Sequence, residues 1–350
     1  MNFSFTKNTE FYPIAYLSIF GFTHALVDAS SAAFILSGLN VSKGLFYYIL
    51  LYNILAFGLQ APLGLLVDNI RQPVFSAFLG CIVLAVALFF GYNPLSATIF
   101  AGIGNALFHV GGGTVALNLK PTKAIYPGIF VAPGGIGITL GVLLATAKLF
   151  NPNPFIILLL IAALGIFIIK CPKINYVKTR IKGINWIILA IFFVQISIVI
   201  RSLIGLTVSF PWKSNIILLF LLTITIAFGK ALGGYIADKF GWMKIAVFSL
   251  IISSPMLAFG AGFPIIAIIG IFLFNLTMPV TLVVISNLLP GRPGFSFGLT
   301  TLALIIGALP TFFHYKYFFT GNWDLLILVL FSALAIFIGL WFYNKIQAMT

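Results

Sequence analysis

The chain has very few charged residues, and few of those are acidic. Only 7% of its 350 residues are charged, and five acidic residues stand against 19 lysines and arginines. Soluble domains carry roughly 25% charged residues, because their surfaces must be hydrated. With 61% hydrophobic residues, this composition excludes a soluble globular domain and places most of the chain in lipid.

Cysteine is nearly absent as well, which removes further classes of protein. The chain has two cysteines: Cys81 lies in an apolar stretch, and Cys171 lies in a basic one. Neither has a partner at a zinc-binding or redox spacing, so no disulfide framework, resident metal or other cofactor is expected. No nucleotide-binding motif occurs either, so transport by this chain would have to draw on an ion gradient.

The net charge of +14 does not form a basic patch of the kind that binds nucleic acid. The lysines and arginines lie between apolar segments instead, which is the pattern that orients membrane proteins. We therefore expect the chain to contact a lipid bilayer and no nucleic acid.

Twelve apolar segments can be distinguished, and most approach the roughly 20 residues that a helix needs to cross a bilayer. The first six are Tyr12–Leu36, Leu45–Val67, Val74–Phe90, Leu95–Leu119, Ala124–Ala147 and Phe155–Ile169. The second six are Trp186–Phe210, Ile216–Ala237, Ile245–Phe259, Pro264–Leu288, Phe295–Phe313 and Leu325–Tyr343. Segments three, six and nine are short. The sequence thus predicts an all-α integral membrane protein with twelve transmembrane helices in two six-helix pseudo-symmetric bundles.

One basic stretch divides the chain nearly in half, and the other loops are too short to hold a soluble domain. Between segments six and seven stand Lys170, Lys173, Lys178, Arg180 and Lys182. We expect an N-terminal bundle at 1–170, a cytoplasmic basic linker at 171–185 and a C-terminal bundle at 186–350.

The distribution of basic residues predicts the orientation of the chain. If the N-terminus is cytoplasmic, thirteen basic residues lie in inner loops: Lys7, Arg71, Lys120, Lys123, Lys170, Lys173, Lys178, Arg180, Lys182, Lys239, Lys244, Arg292 and Lys345. Four lie in outer loops: Lys43, Lys148, Lys213 and Lys316. Because loops rich in lysine and arginine stay in the cytoplasm, we expect both termini there, in a multi-pass protein of the inner (plasma) membrane.

The two halves of the chain share a repeated turn. Gly64-Leu-Leu-Val-Asp68 recurs as Gly234-Tyr-Ile-Ala-Asp238, at an offset of 170 residues, and each copy ends a long apolar segment. A second match supports the repeat, because Asn118-Leu-Lys-Pro121 corresponds to Asn287-Leu-Leu-Pro290. Membrane chains built of two such halves are most often transporters whose halves move against each other.

These residues resemble the major facilitator superfamily, whose members carry a Gly-x-x-x-Asp-(Arg/Lys)-x-Gly turn between helices two and three and often again between eight and nine. The second copy matches closely, and the first is degenerate because Asn69 replaces the base. The resemblance covers essentially the whole chain. It implies transport by alternating access, usually as a monomer. At the inner edge of the membrane, each acid of the turns could cap a helix N-terminus or pair with a base when the inner side is shut. We therefore expect a gating role for the residues of both turns: Asp68, Arg71, Asp238, Lys239 and Lys244.

Within that superfamily the chain resembles the fosmidomycin-resistance type of exporter. The similarity rests on His24-Ala-Leu-Val-Asp28, on Gly104-Asn-Ala-Leu-Phe-His109 and on the glycines from Gly134 to Gly141. It implies export by antiport. The Gly-Pro pair of many drug/proton antiporters is missing, since Pro133 precedes the glycines, so the direction of transport stays open.

His24 and Asp28 are the leading candidates for proton coupling. They lie four residues apart and share a helix face, and Asp28 is the only acid deep within an apolar segment. An ionisable side chain at the centre of a membrane helix costs about 2.5–3.5 kcal/mol on insertion scales, so it usually pairs or functions. The alternative is a structural polar pair that holds helix one against a neighbour.

Arg201 is the first candidate for substrate binding. It lies about as deep in segment seven as Asp28 lies in segment one, so it could pair with Asp28 or hold an anionic substrate. If segment seven is shifted, Arg201 would instead extend to the outer interface.

Three further polar residues complete the predicted substrate site: His109 in segment four, Gln195 in segment seven and Asn275 in segment ten. His109 precedes three glycines and would either line a cavity or form a hydrogen bond to a neighbouring helix. Lys230, towards the inner end of segment eight, is expected to extend to the inner interface.

The leading function is secondary active transport, with proton-coupled export of a small organic compound, an anion among the candidates. One alternative is uptake of a small anionic solute, or of a divalent metal held as cargo by His24, Asp28 and His109. Another is a membrane enzyme, which would need an acid, a base and a nucleophile clustered near one interface. We assign no catalytic residue, and expect a small-molecule substrate and protons as partners.

Cysteine labelling tests the orientation. In a background without Cys81 and Cys171, a cysteine at Lys213 should react with a membrane-impermeant maleimide in intact cells. A cysteine at Lys120 should react only after permeabilisation, because its loop faces the cytoplasm. The opposite pattern would contradict the predicted topology.

Overall fold

A computed structural model describes residues 11–39, 44–169, 174–177, 183–313 and 319–349. All regular secondary structure in these ranges is helical. The predicted linker 171–185 lies mostly outside the described residues, as does Cys171.

The N-terminal half contains helices α1 to α6. Helix α1 (Phe11–Ala33) continues into a π-helical turn (Phe34–Gly38), and α2 (Leu45–Ile70) contains a second one (Ile54–Gly58). The others are α3 (Pro73–Phe89), α4 (Pro94–Leu119), α5 (Ile125–Thr146) and α6 (Pro152–Ile168).

The C-terminal half contains helices α7 to α12. They are α7 (Ile184–Thr207), α8 (Ile216–Phe240), α9 (Trp242–Phe259), α10 (Pro264–Leu288), α11 (Pro293–Phe312) and α12 (Asn322–Gln347). Ten of the twelve are long and apolar enough to span a membrane, and α3 and α6, with 17 residues each, are shorter. The prediction of an all-helical membrane protein is confirmed.

Helix α10 differs from the single segment that its hydropathy predicts. It consists of two pieces, Pro264–Asn275 and Met278–Leu288, separated by Leu276 and Thr277. Pro279 explains the break, because it has no N–H for the carbonyl of Asn275 and its ring would collide with that carbonyl.

Each half builds its own hydrophobic core. In the N-terminal half, α1 packs along α5 and α3 packs along α4, around buried rings such as Tyr16, Phe108 and Phe130. In the C-terminal half, α12 packs against α7 and α9, around Leu250 and Leu257.

One end of the molecule carries the connection between the halves, and we call it the linker face. There the backbone N–H of Asn175 donates a 3.3 Å hydrogen bond to Oδ1 of Asn118, at the end of α4. Helix α12 also ends at this face, since Tyr343 stacks on Trp242, the first residue of α9, with 5.9 Å between ring centroids. Helix α1 runs parallel to α5 and starts at the same face, because Gly21 lies near Pro133 and Gly141 near Ala29.

The repeated glycines are the points where the two halves touch on the linker face. A Cβ atom on Gly64 of α2 would overlap the backbone of Gly294 in α11, and one on Gly234 of α8 would overlap the backbone of Ala124 before α5. Both helix pairs therefore cross with their backbones in contact, which only glycine permits.

The repeated acids cap helices of the opposite half. The carboxylate of Asp68 accepts hydrogen bonds from the backbone N–H groups of Gly294 and Phe295, each 2.9 Å long, at the start of α11. Asp238 accepts from the N–H groups of Ala124 (2.9 Å) and Ile125 (3.1 Å), at the start of α5. Because a helix N-terminus carries partial positive charge, each carboxylate ties one half to the other on this face.

Replacing Gly64 with alanine should open the linker face. The added methyl group cannot fit against Gly294, so α2 and α11 must separate. The distance between spin labels at Ile70 and Arg292, measured by pulsed electron paramagnetic resonance, should shift to longer values.

The matched control is Gly205→Ala in α7, where an added Cβ would meet no atom within 4 Å. If both variants give the wild-type distance distribution, the close backbone contact does not hold the face shut.

Candidate functional site

Three ionisable side chains converge between α1 and α4. Nε2 of His24 lies 2.9 Å from Nε2 of His109, and the two atoms lie 3.3 and 3.5 Å from the carboxylate oxygens of Asp28. The side chains of His24, Asp28 and His109 are 6%, 12% and 9% exposed, so the cluster is nearly closed to solvent.

The glycines of α5 make room for this cluster. A Cβ atom on Gly134 would lie 2.6 Å from Oδ2 of Asp28 and would overlap the ring of His24. One turn further on, Gly137 lets α5 touch the backbone of α1 at Ala25. Small residues thus bring the polar face of α1 close to the backbone of α5.

Hydrogen bonds fix the orientation of both imidazole rings. Nδ1 of His24 lies 2.7 Å from the carbonyl oxygen of Phe130, and Nδ1 of His109 lies 2.9 Å from that of Asn105. A carbonyl oxygen can only accept, so each Nδ1 carries the hydrogen. In a neutral imidazole, Nε2 then bears a lone pair, and here the two lone pairs point at each other.

Two lone pairs at 2.9 Å repel each other, so the cluster requires a positive charge. One excess proton on either Nε2 would turn the contact into an N–H···N hydrogen bond beside the Asp28 carboxylate. Asn105 donates a 3.2 Å hydrogen bond to Oδ1 of Asp28 and completes the cluster.

The same three side chains could hold a divalent cation. Their ligand atoms all lie within 4.8 Å of one another. Both rings donate Nδ1–H to a carbonyl oxygen, which is also the usual arrangement around a metal-bound histidine.

Arg201 lies on α7, in the opposite half. It is 7% exposed and donates a short hydrogen bond to the hydroxyl of Thr277, in the break of α10. It therefore does not extend to the interface. In the described part of the chain no carboxylate oxygen lies within 4 Å of its guanidinium, so Arg201 and Asp28 form no ion pair in this conformation.

Lys230 does not extend to the linker face, contrary to the sequence-based expectation. Its backbone carbonyl packs against Gly128 of α5, while its Nζ lies 3.9 Å from the position of a Cβ on Gly135, two turns further from that face. The charges of Asp28 and Arg201 both act on the ammonium group. Lys230 lies ten residues before the end of α8, about 15 Å along the axis, a length that a lysine side chain cannot span.

The structure leaves Gln195 and Asn275 outside the cluster. Nε2 of Gln195 donates a 2.9 Å hydrogen bond to the carbonyl oxygen of Leu299, which joins α7 to α11. Nδ2 of Asn275 donates to the carbonyl oxygen of Ile271 in its own helix, also at 2.9 Å. Both amides therefore contact backbone of the C-terminal half.

The bases of the repeated turns do not contact the acids. Arg71 ends α2 with φ at 58° and places its guanidinium 5.8 Å from the ring centre of Tyr176. Lys239 lies over the ring of Phe240, and Lys244 is exposed. Among the described residues, Asp238 has no basic group within 4 Å, and its further partner is the Trp242 indole N–H.

The fold resembles that of solved membrane transporters along nearly the whole chain. The E. coli fucose:proton symporter FucP, in a variant form, aligns over 97% of both chains at 16% identity, with a TM-score of 0.58. The human organic anion transporter MFSD10 (TETRAN) aligns over 96% of this chain and 99% of its own, at 12% identity and a TM-score of 0.65. An outward-facing bacterial homologue of the iron transporter ferroportin, with soaked iron, aligns over 96% and 99% at 16% identity and a TM-score of 0.57.

No protein-family model and no curated protein sequence matches the chain. A second structure of FucP, described as a major facilitator superfamily transporter in the outward conformation, aligns over 95% of this chain and 99% of its own, at 14% identity and a TM-score of 0.64. At such identities the likeness concerns the fold. The chain is a multi-pass membrane protein with the twelve-helix fold of the major facilitator superfamily transporters.

Proposed function

We propose that this protein is a secondary active transporter that couples the movement of a proton to that of a small organic compound. The observation that carries the proposal is the convergence of two Nε2 lone pairs on the buried Asp28 carboxylate. An excess proton on His24 or His109 would form a hydrogen bond between the two Nε2 atoms, and the Asp28 carboxylate would balance its positive charge.

Loss of the excess proton would destabilise the close packing of α1 against α4 at the cluster. Two neutral imidazoles would present lone pairs to each other and to a carboxylate in an apolar interior, which is costly. Helices α1 and α4 would then have to move apart or admit another cation. The protonation state thus biases the arrangement of the N-terminal half, and a transporter needs such a two-state element.

The surroundings of Asp28 offer few other charges. Helix α4 contributes Asn105 and His109 to the cluster, and α5 contributes the carbonyl oxygen that binds His24. The charge of Asp28 also acts on Tyr52 of α2 and on Lys230 of α8. The two histidines are therefore the natural sites for an exchangeable proton.

The halves would rock about this cluster, with the linker face as one gate. Asp68 and Asp238 hold that gate shut through four backbone hydrogen bonds, and we propose that Arg71, Lys239 and Lys244 act when it opens. The excess of basic residues in the predicted inner loops favours a cytoplasmic position for the linker face and both termini, in a protein of the inner membrane. We expect the protein to act as a monomer.

The resemblance to fosmidomycin-resistance exporters favours export in exchange for protons. The second candidate is proton-driven uptake of a small anion, favoured by Arg201 and Lys230 in the other half. Transport into proteoliposomes distinguishes exchange from co-transport. If the protein exchanges solute for protons, a proton gradient directed out of the vesicles drives solute in. If it co-transports them, a gradient directed into the vesicles drives solute in.

Asp28→Asn should abolish accumulation driven by a pH gradient while equal-pH exchange continues, because exchange moves no net proton. One pH unit can drive about tenfold accumulation for each coupled proton, so the loss is easily measured. Radiolabelled uptake of a solute panel into proteoliposomes, with and without the gradient, is the measurement.

The control is Asp324→Asn, which removes one negative charge, as Asp28→Asn does, but at an exposed residue outside the cluster. Gradient-driven accumulation by Asp28→Asn at the wild-type level would remove the cluster from coupling. Stimulation by Zn²⁺ or Fe²⁺ in place of protons would assign the cluster to a metal cargo.

His109→Gln should flatten the pH profile of transport, measured between about pH 4 and 8, because it removes the imidazole that can share the excess proton. The amide cannot bind the excess proton, although it can keep a hydrogen bond to a neighbour. Initial rates across this pH range are the readout, and an unchanged profile would show that His109 does not share the transported proton.

A further inference from the structure

The structure assigns an anion-binding site to the central part of the C-terminal half, formed by Arg201 of α7 and Lys230 of α8. We infer that its ligand is a small organic anion with a carboxylate or phosphate-type group. This inference rests on the proposed function, since it names the class of substrate that the transporter carries.

The first observation is the incomplete pairing of Arg201. The residue is buried, with 7% of its surface exposed. Its guanidinium has five N–H donors, and among the described residues their one hydrogen-bond partner is the neutral hydroxyl of Thr277. A buried charge is normally matched by an opposite charge, so this arrangement lacks an anion.

The second observation is the direction of the Lys230 side chain. A lysine in a membrane helix ordinarily extends its ammonium group towards the nearer interface. Lys230 does the opposite and extends along α5 from Gly128 to Gly135. A Cβ on Gly135 would meet only Ile226 and the Lys230 ammonium, at 3.7 and 3.9 Å, so there is space beside the charge.

The third observation is that, in the part of the chain that the structure describes, no carboxylate forms an ion pair with Arg201 or Lys230. Asp68 and Asp238 bind helix N-termini at the linker face, and Asp324 is exposed at the start of α12. Asp28 is engaged by the two histidines and Asn105. The fifth acid, Glu10, precedes the described residues.

The charges therefore do not cancel in the middle of the protein. Arg201 and Lys230 repel each other as like charges, and the charge of the nearby Asp28 carboxylate already balances the excess proton of the histidine cluster. In an interior with a low dielectric constant this repulsion is weakly screened. An anion beside both groups removes it, and the planar guanidinium can bind a carboxylate or phosphate through two parallel hydrogen bonds.

An internal carboxylate tests the site without knowledge of the substrate. Gly135→Asp places a negative charge beside Lys230, and Gly135→Asn places a neutral group of the same shape there. The Asp variant should melt about 2–4 °C higher than the Asn variant in detergent, because it neutralises the repulsion. When each is combined with Lys230→Met, the Asp and Asn variants should have the same melting temperature, because the ammonium group is gone.

A second experiment measures the binding of anions to the wild-type protein. At constant pH and without a gradient, succinate, benzoate or inorganic phosphate should raise the melting temperature of the wild-type protein, and neutral benzamide should not. Arg201→Gln and Lys230→Gln should lose the response, Lys230→Arg should keep it, and the exposed control Lys213→Gln should behave as wild type. Whether the carboxylates or phosphate act more strongly identifies the anionic group.

The inference is overturned if Gly135→Asp is no more stable than Gly135→Asn, or if benzamide stabilises the protein as well as benzoate does. Asp28→Asn separates this result from proton coupling, because it should keep the response to anions while it loses gradient-driven transport. If anions still stabilise the protein but no proton coupling is found, the anion site is supported and only the proposed coupling is rejected.

Discussion

The cost of placing charge in an apolar interior shapes this protein more than any other constraint. Most of the chain is apolar, and five acids are shared among 19 lysines and arginines. Each acid that the structure describes within the helical body has a defined partner. Asp68 and Asp238 bind backbone amides across the two halves, and Asp28 binds two histidines.

The asymmetry between the halves follows from that distribution. Away from the linker face, the interior of the N-terminal half has its ionisable groups in one closed cluster around Asp28. The interior of the C-terminal half has two cations, Arg201 and Lys230, and no acid of its own in the described residues. The repeat thus preserves the contacts of the linker face, where glycine and aspartate recur, while the interiors of the two halves differ. That difference matches the two proposed sites, one for a proton and one for an anion.

Hydropathy alone predicts the twelve helices, because each crossing requires a long apolar run, and it also shows that segments three and six are short. Its prediction that segment nine is short is wrong, since α9 has 18 residues and is long enough to span a membrane. Hydropathy does not predict the break in α10, since Thr277 and Pro279 stand in a continuous apolar stretch. That break depends on a backbone hydrogen bond that proline cannot make, and it positions the hydroxyl that meets Arg201.

The site was only partly predictable. The spacing of His24 and Asp28 places them on one helix face, but the ring of His109 joins them through tertiary packing that the glycines of α5 permit. The direction of Lys230 could have been anticipated from its distance to the end of α8. Capping of a helix N-terminus was one of two alternatives for Asp68 and Asp238, but the helices that they cap could not be predicted. The partners are backbone amides 226 and 114 residues away in the sequence, respectively, and carry no side-chain signature.

The choice of backbone amides as partners has a consequence for sequence change. A side-chain base can be lost by a single substitution, but an N–H group at the start of α5 or α11 survives every substitution except proline. The gate can therefore tolerate the replacement of a motif base by Asn69, as long as the acid and the glycine that admits the neighbouring helix persist. The first residues of α5 can change without loss of these N–H groups, whereas Gly294 of α11 cannot, because a Cβ there would lie 2.9 Å from the Asp68 carboxylate and from the carbonyl oxygen of Gly64. The interlock between the halves therefore tolerates mutation mainly at the start of α5.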